Sequence, residues 1–183
     1  NGYVYDPEGI QVDVVKQIKE VERGRIKEYA KRVPSAEYHE GCHGIWSVKC
    51  DIALPCATQN EIDLEAAKLL VAGGVQAVGE GANMPSSLDA IAYFQSHHVL
   101  FAPAKAANAG GVAVSALEMS QNSERRQWTF EKVDTRLKKI MANIYNSAKK
   151  NAELYADPDD LVAGANITAF AKVADVMLAH GLV

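Results

Sequence analysis

Apolar positions along the chain repeat at two different periods, and these periods predict where helices and strands lie. Near the start, Ile10, Val14 and Ile18 recur at helical spacing with polar residues between them, which predicts a helix ending near Arg23. A shorter, exposed helix is predicted at 25–32, ahead of a proline. The remainder of this first part is predicted to consist of turns and loops.

In the middle of the chain, short apolar runs alternate with helical patterns. Five elements are predicted in this order: a strand at 48–54, a helix at 60–71, a strand at 75–78, a helix at 86–94 and a strand at 99–102. Asn60 is predicted to cap the first of these helices, and Asp63 three residues later fits a capping box. Alternating strands and helices with right-handed crossovers build a parallel, doubly wound sheet, so the predicted fold class is α/β.

The last third of the chain shows a helical pattern only. Thr129 precedes an amphipathic stripe, which predicts a long helix capped by this residue and ending near Tyr155. A final helix is predicted to begin at Asn166 and to end at Gly181. No internal repeat interrupts this pattern.

Composition and charge narrow the function classes. The 183 residues carry a net charge of −4 without a basic cluster, which argues against a nucleic-acid surface. No apolar run approaches the length of a membrane helix, so no membrane contact is expected. Cys42, Cys50 and Cys56 form an odd set without zinc-like pairing, so reduced thiols in the cytoplasm are expected. His39 and His43 lie near Cys42, but no fourth ligand accompanies them and no metal site is predicted.

Small and amide side chains fill the loops that follow the three predicted strands, at 55–60, 80–85 and 103–111. Ligands of open parallel sheets bind outside the carboxyl ends of the strands, where these loops lie. Amides offer a donor and an acceptor together, which suits a neutral polar ligand such as a carboxamide or a ribose. Asn83 and Asn108 are therefore expected to face one crevice, the alternative for Asn83 being a turn.

Ser115 is the polar group on the apolar face of the helix predicted after Gly110 and Gly111. Two interpretations of this serine stay open. It either packs in the middle of the helix and bonds the carbonyl one turn earlier, or it belongs to a ligand site that the preceding small-residue loop allows to approach the backbone.

Several stretches of the chain stand in an order typical of one family. They are GYVYDPEGI (2–10), CDIALPCATQNEID (50–63), GEGANMP (79–85), APAKAANAGGV (102–112), NAGGVAVSALEMSQNSE (108–124) and LVAGANI (161–167). Together they resemble the glutamate dehydrogenases, the NADP-linked microbial kind most of all. The resemblance implies interconversion of L-glutamate with 2-oxoglutarate and ammonia, with hydride transfer to or from a nicotinamide dinucleotide.

The same resemblance implies roles in cofactor binding. Asn83 and Asn108 would face the nicotinamide ribose and carboxamide, while Thr58 and Gln59 would lie along the adenosine side. Asn1 would lie in or next to the stretch that helps to set cofactor specificity. An acidic side chain there repels a 2′-phosphate, and because Asn1 is neutral, NADP is expected rather than NAD.

For the substrate, the resemblance implies that Val112 lines the side-chain pocket and that Ser115 hydrogen-bonds the distal carboxylate of glutamate. A hydroxyl suits this role because a buried carboxylate without partners is costly. Related dehydrogenases for branched-chain and aromatic amino acids need an apolar pocket. The polar Ser115 therefore indicates glutamate as the substrate. No residue of this chain is expected to be catalytic, because all five histidines lie outside the matched site motifs.

The implied fold is a partial Rossmann-type, doubly wound parallel sheet followed by C-terminal helices. An incomplete dinucleotide-binding domain is expected at 1–110, with a helical part at 111–183 packing on it. Because the family's phosphate loop and substrate domain would precede Asn1, we expect a piece of a longer, cytoplasmic and commonly hexameric enzyme of ammonia assimilation, inactive by itself. The alternative is a short, non-catalytic paralogue that acts as a binding or assembly module.

Overall fold

The computed structural model describes residues 2–181. The chain forms two compact units, Asn1–Lys49 and Cys50–Val183. The parallel sheet and the C-terminal helices belong to the second of these units. The α/β class, with a parallel sheet followed by helices, is confirmed. The division into an incomplete dinucleotide-binding domain at 1–110 and a helical part at 111–183 stays a prediction.

The first unit contains two paired strands that the sequence pattern does not predict. Strand β1 (Gly2–Tyr5) runs antiparallel to β2 (Glu37–Glu40), with Tyr3 opposite His39. The rings of these two residues stack with their centroids 4.8 Å apart. His39 therefore belongs to a strand, not to the loop that the sequence indicated.

Between these strands the first unit is helical, as predicted, but in short pieces. They are α1 (Val12–Lys16), a π-helical segment (Gln17–Val21), a 3-10 turn (Ile26–Glu28) and α2 (Tyr29–Arg32), and a further 3-10 turn (His43–Ser47) follows β2. The prediction of an exposed helix at 25–32 is wrong for Tyr29, which is fully buried. Its hydroxyl donates to Asp6 Oδ2 at 3.1 Å and accepts the Gln11 N–H at 2.8 Å, so burial leaves no polar atom of this side chain unpaired.

The second unit is built on the predicted parallel sheet. Its strands are β3 (Ile52–Ala53), β4 (Ala77–Gly79) and β5 (Leu100–Ala102), joined by helices α3 (Leu64–Ala72) and α4 (Leu88–Ser96). The strand order is β3-β4-β5, and the strands are shorter than predicted. Phe94 of α4 stacks on Phe101 of β5 with centroids 5.9 Å apart, beside the buried Val78. The Phe94–Phe101 contact thus packs α4 against the sheet.

Helices α3 and α4 of this unit begin at side-chain caps. Asp63 accepts the Ala66 N–H at 2.8 Å, and Ser87 caps α4. The predicted cap Asn60 is wrong, because its backbone lies in a turn with a φ of 55°. Its N–H donates instead to the Met84 carbonyl oxygen at 3.0 Å, which ties the turn to the next loop of the sheet.

Four helices follow the sheet: α5 (Ala104–Ala107), α6 (Ala109–Glu124), α7 (Phe130–Tyr155) and α8 (Leu161–His180). Thr129 caps α7, and the helix ends at Tyr155, as predicted. The prediction that the last helix begins at Asn166 is wrong, since α8 begins at Leu161 after an Asp160 cap. The helix begins earlier than predicted because Gly164 lies inside it and does not break it.

Helices α7 and α8 come into backbone contact at Gly164. This glycine is buried, and a Cβ added to it would lie 2.9 Å from the Ala148 carbonyl carbon and 3.0 Å from Ala152 Cβ. Ala148 and Ala152 are buried as well. Three small residues thus allow the two helices to pack without side chains between them.

Helix α8 is long and apolar enough, by length and composition alone, to cross a membrane. This corrects the expectation that the chain has no such run. Phe170, Met177 and Leu178 leave more than half of their surface exposed. A single helix of this kind is weak support for a membrane span, and here it packs along α7.

Candidate functional site

Three loops meet at the carboxyl ends of β3, β4 and β5, where parallel sheets bind ligands. The Pro55 carbonyl oxygen, just past β3, accepts hydrogen bonds from the N–H groups of Gly81 and Ala82, both at 3.0 Å. Backbone atoms alone therefore join the loop after β3 to the loop after β4. The positions of these loops depend little on exposed side chains.

Asn83 and Asn108, predicted to face one crevice, are in direct contact. The Asn108 Nδ2 atom donates to Asn83 Oδ1 at 2.7 Å and to the Ala82 carbonyl oxygen at 3.1 Å. Within residues 2–181, no group bonds the Asn108 Oδ1 atom or the Asn83 Nδ2 atom. The pair is thus oriented by its own hydrogen bond and offers a ligand one acceptor and one donor.

Both asparagines line a crevice of about 670 Å³ with no charged side chain in its wall. The lining residues are Cys56, Ala57, Thr58, Gln59, Gly81, Ala82, Asn83, Asn108 and Val112. All the predicted site residues between 58 and 112 therefore lie around one cavity. Their individual roles stay predictions.

Ser115 does not line this crevice. It is exposed on α6, and its Oγ donates to the Gly111 carbonyl oxygen at 3.3 Å, one turn earlier. This is the bond of the mid-helix interpretation, but the exposed hydroxyl also leaves room for a ligand. Val112, one turn before Ser115, is 71 % exposed. Asn1, the remaining predicted site residue, lies outside the described residues.

Glu80 is a residue of this site that the sequence pattern misses. It follows β4 directly, and only 3 % of its surface is exposed. Its two carboxylate oxygens accept N–H groups from Ser86 at 3.1 Å and from Ala104 at 2.7 Å. The signal in the sequence is one acidic residue between Gly79 and Gly81, in a loop that otherwise has none.

None of the titratable groups with a shifted pKa value is among the residues that line the crevice. Burial, and then the Asp51 carboxylate, raises the pKa of the Cys50 thiol before β3. Cys42 and Cys56 are exposed, and all three cysteines are free thiols. Among residues 2–181, no three His, Cys, Asp or Glu side chains are placed to hold a metal ion. The crevice is therefore best suited to a neutral, polar part of an organic ligand.

Known proteins resemble the chain over nearly all of its length. One family, described as Glutamate/Leucine/Phenylalanine/Valine dehydrogenase, matches residues 1–181. The NADP-specific glutamate dehydrogenase of Helicobacter pylori is 47 % identical over 100 % of this chain and 42 % of its own length. The NAD(P)-specific glutamate dehydrogenase of Xylanibacter ruminicola is 50 % identical over 100 % of this chain and 41 % of its own length.

Among solved structures, the crystal structure of Plasmodium falciparum glutamate dehydrogenase is similar, with a TM-score of 0.92 and 49 % sequence identity. The match covers 100 % of this chain and 40 % of that one. The chain thus spans about two fifths of the length of the relatives that it matches.

Proposed function

The chain belongs to the Glutamate/Leucine/Phenylalanine/Valine dehydrogenase family, and we propose that it is the C-terminal part of an NADP-linked glutamate dehydrogenase. The observation that carries this proposal is the neutral crevice in which Asn83 and Asn108 present one donor and one acceptor. The names of the relatives favour glutamate over the other amino acids of the family. The proposed reaction is oxidative deamination of L-glutamate to 2-oxoglutarate and ammonia, and its reverse.

NADP would supply the hydride acceptor for this reaction when bound, and the crevice residues Asn83 and Asn108 would hold its nicotinamide half. A carboxamide needs an acceptor for its NH₂ group and a donor for its carbonyl oxygen, which the free Asn108 Oδ1 and Asn83 Nδ2 atoms supply. Thr58 and Gln59, both exposed on the crevice wall, would hold the adenosine side. The NADP-specific and NAD(P)-specific relatives support NADP over NAD, as does the neutral Asn1.

For the substrate side, Val112 and Ser115 are proposed to shape the pocket of the glutamate side chain. The Ser115 hydroxyl has one proton, which it now gives to the Gly111 carbonyl oxygen. To bind the distal carboxylate, it must exchange this bond for one to the charged ligand. Hydrogen bonds to a charged acceptor are about twice as strong as neutral ones, so the exchange is favourable.

We assign no general acid or base to this chain. His97 and His98 follow α4, where β5 begins, so they lie at the opposite edge of the sheet from the crevice. We infer that residues outside this sequence perform the proton transfers. The whole enzyme is proposed to be a cytoplasmic homohexamer that serves ammonia assimilation.

The experiment that tests this proposal starts from the polypeptide as its own cell makes it. Its intact mass and its formation of NADPH from glutamate are measured. We expect a chain more than twice as long as this one, given its share of the Helicobacter pylori enzyme, and clear activity. The 183-residue chain by itself is expected to form no NADPH.

Either of two results would contradict the proposal. NADPH formed by the 183-residue chain alone would mean that its proton chemistry lies within these residues. A native polypeptide of this length without activity would support the non-catalytic binding or assembly module instead.

Replacing Ser115 with alanine in the active enzyme is expected to raise the KM for glutamate and to leave the KM for NADP unchanged. A hydrogen bond to a charged group contributes about 1.5–3 kcal/mol, which corresponds to an increase of roughly 10- to 150-fold. Ser120→Ala is the matched control, because Ser120 Oγ makes the same bond within α6, to the Ala116 carbonyl oxygen at 2.9 Å. Equal glutamate KM values for both variants would exclude Ser115 from the substrate pocket.

A further inference from the structure

Glu80 is a buried carboxylate that has no cationic partner among residues 2–181. Two backbone N–H groups, those of Ser86 and Ala104, are its hydrogen-bond donors. A buried charge is costly to keep, and a neutral side chain of similar volume often stabilises a core as well or better. Filling space is therefore a poor explanation for a glutamate at this position.

The two N–H groups belong to different loops, and each loop carries one asparagine of the crevice. Ser86 shares the loop after β4 with Asn83, and Ala104 lies one helical turn before Asn108. The two oxygens of a carboxylate have a fixed separation. By bonding one loop with each oxygen, Glu80 sets the distance between the two loops.

Glu80 is itself anchored to the sheet. Its backbone N–H donates to the Ala102 carbonyl oxygen at 3.1 Å, at the end of β5. Its Oε2 also pairs the first free N–H group of α5, since the preceding Pro103 offers no side-chain cap. The carboxylate thus extends the β4–β5 pairing beyond the last residue of each strand.

We propose that Glu80 is the positioning residue of the nicotinamide half of the site. It holds the loops of Asn83 and Asn108 at the separation at which their amides form the 2.7 Å hydrogen bond. Glu80 acts through these two residues and contacts no ligand. The inference rests on the proposed function, because NADP is the ligand that the positioned pair binds.

The variant Glu80→Gln distinguishes a positioning role of the Glu80 side chain from a role in packing alone. Glutamine has the same size and shape, but its NH₂ group must face one of the two N–H donors, so one of the two hydrogen bonds is lost. A packing role predicts no change in this variant, whereas a positioning role predicts looser loops. Glu65→Gln is the matched control, since it makes the same chemical change at an exposed site of α3. Its 2.7 Å ion pair with Lys68 is a surface pair of small energy.

The first measurement is amide hydrogen exchange, without ligand, in the full polypeptide as its own cell makes it. We expect the Ser86 and Ala104 amides to exchange at least about tenfold faster in Glu80→Gln, because local opening exposes them, and to be unchanged in Glu65→Gln. Unchanged exchange of both amides in Glu80→Gln would overturn the proposal. This result does not depend on the identity of the cofactor.

The second measurement is saturation-transfer NMR with NADP, which reports contact at the nicotinamide and adenine protons of one molecule separately. In Glu80→Gln we expect the nicotinamide-to-adenine ratio of saturation to fall by roughly twofold or more, because only the asparagine pair is displaced. Equal losses at both ends would indicate a general structural role and overturn the proposal. Absence of any transfer from the unsubstituted full polypeptide to NADP would count against the proposed function itself, and amide exchange would still decide whether Glu80 holds the loops.

Discussion

Replacing Gly164 with alanine should destabilise the unit Cys50–Val183 by about 3 kcal/mol. The added Cβ would lie 2.9 Å from the carbonyl carbon of Ala148 and would meet its oxygen more closely still. These atoms belong to the backbone of α7 and cannot rotate away, so the two helices must separate along their contact. Urea unfolding followed by circular dichroism measures the loss of stability.

Gly111→Ala is the control for this substitution, because no atom lies within 4 Å of a Cβ added at Gly111. In that variant, alanine replaces a helical glycine without a clash, and a stabilisation of up to about 1 kcal/mol is expected. If Gly164→Ala were tolerated as well as Gly111→Ala, the close backbone contact of α7 and α8 would be refuted.

Replacing Asn108 with aspartate should weaken the binding of NADPH roughly 30-fold in the active enzyme, from a loss of about 2 kcal/mol. The substitution keeps the shape of the side chain but turns the Nδ2 donor into an acceptor. That atom would then face two acceptors, Asn83 Oδ1 and the Ala82 carbonyl oxygen, in place of bonding them. Titration of NADPH fluorescence gives the dissociation constant.

Asn146→Asp controls for the added charge, since Asn146 is exposed on α7 and does not line the crevice. The dissociation constant for NADPH should stay unchanged in this variant. If Asn108→Asp bound NADPH as tightly as Asn146→Asp, the asparagine pair would not belong to the cofactor site.

The helices were predictable where their signals are local. Thr129 stands directly before an amphipathic stripe, and its hydroxyl accepts the N–H of Lys132 at 3.3 Å, as a cap should. Asn60 and Asp63 are both good caps by residue type. The choice between them depends on the pairing of Asn60 with Met84, which lies in another loop, so the residues near the helix do not reveal it.

The features that the sequence missed depend on distant partners. Strands β1 and β2 have four residues each, too few for a period to be visible, and they pair across the helical segment between them. A glycine such as Gly164 is typical of a helix end. Helix α8 nevertheless continues through Gly164, and only the packing of α7 against this residue explains why.

In the candidate site, too, residues with a local sequence signal were predictable and residues that depend on distant partners were not. The order of strands and helices predicted the sheet edge, and the amide side chains at that edge predicted Asn83 and Asn108. Glu80 has no such signal, because its importance lies in two N–H groups, of Ser86 and Ala104, that come together only in the folded chain. Hydrogen-bond geometry, and not residue type, identifies it.

The hydrogen bond between Asn83 and Asn108 also fixes the orientation of both amide groups in the crevice. Neither amide can turn over without losing the 2.7 Å contact, so the donor and the acceptor that remain have fixed places. A carboxamide satisfies both of them. A carboxylate in its place has only acceptors and would bring one of them against Asn108 Oδ1, at a cost comparable to a lost buried hydrogen bond. In the proposed cofactor site, the locked orientation of these two neutral side chains would distinguish an amidated dinucleotide from its deamidated counterpart.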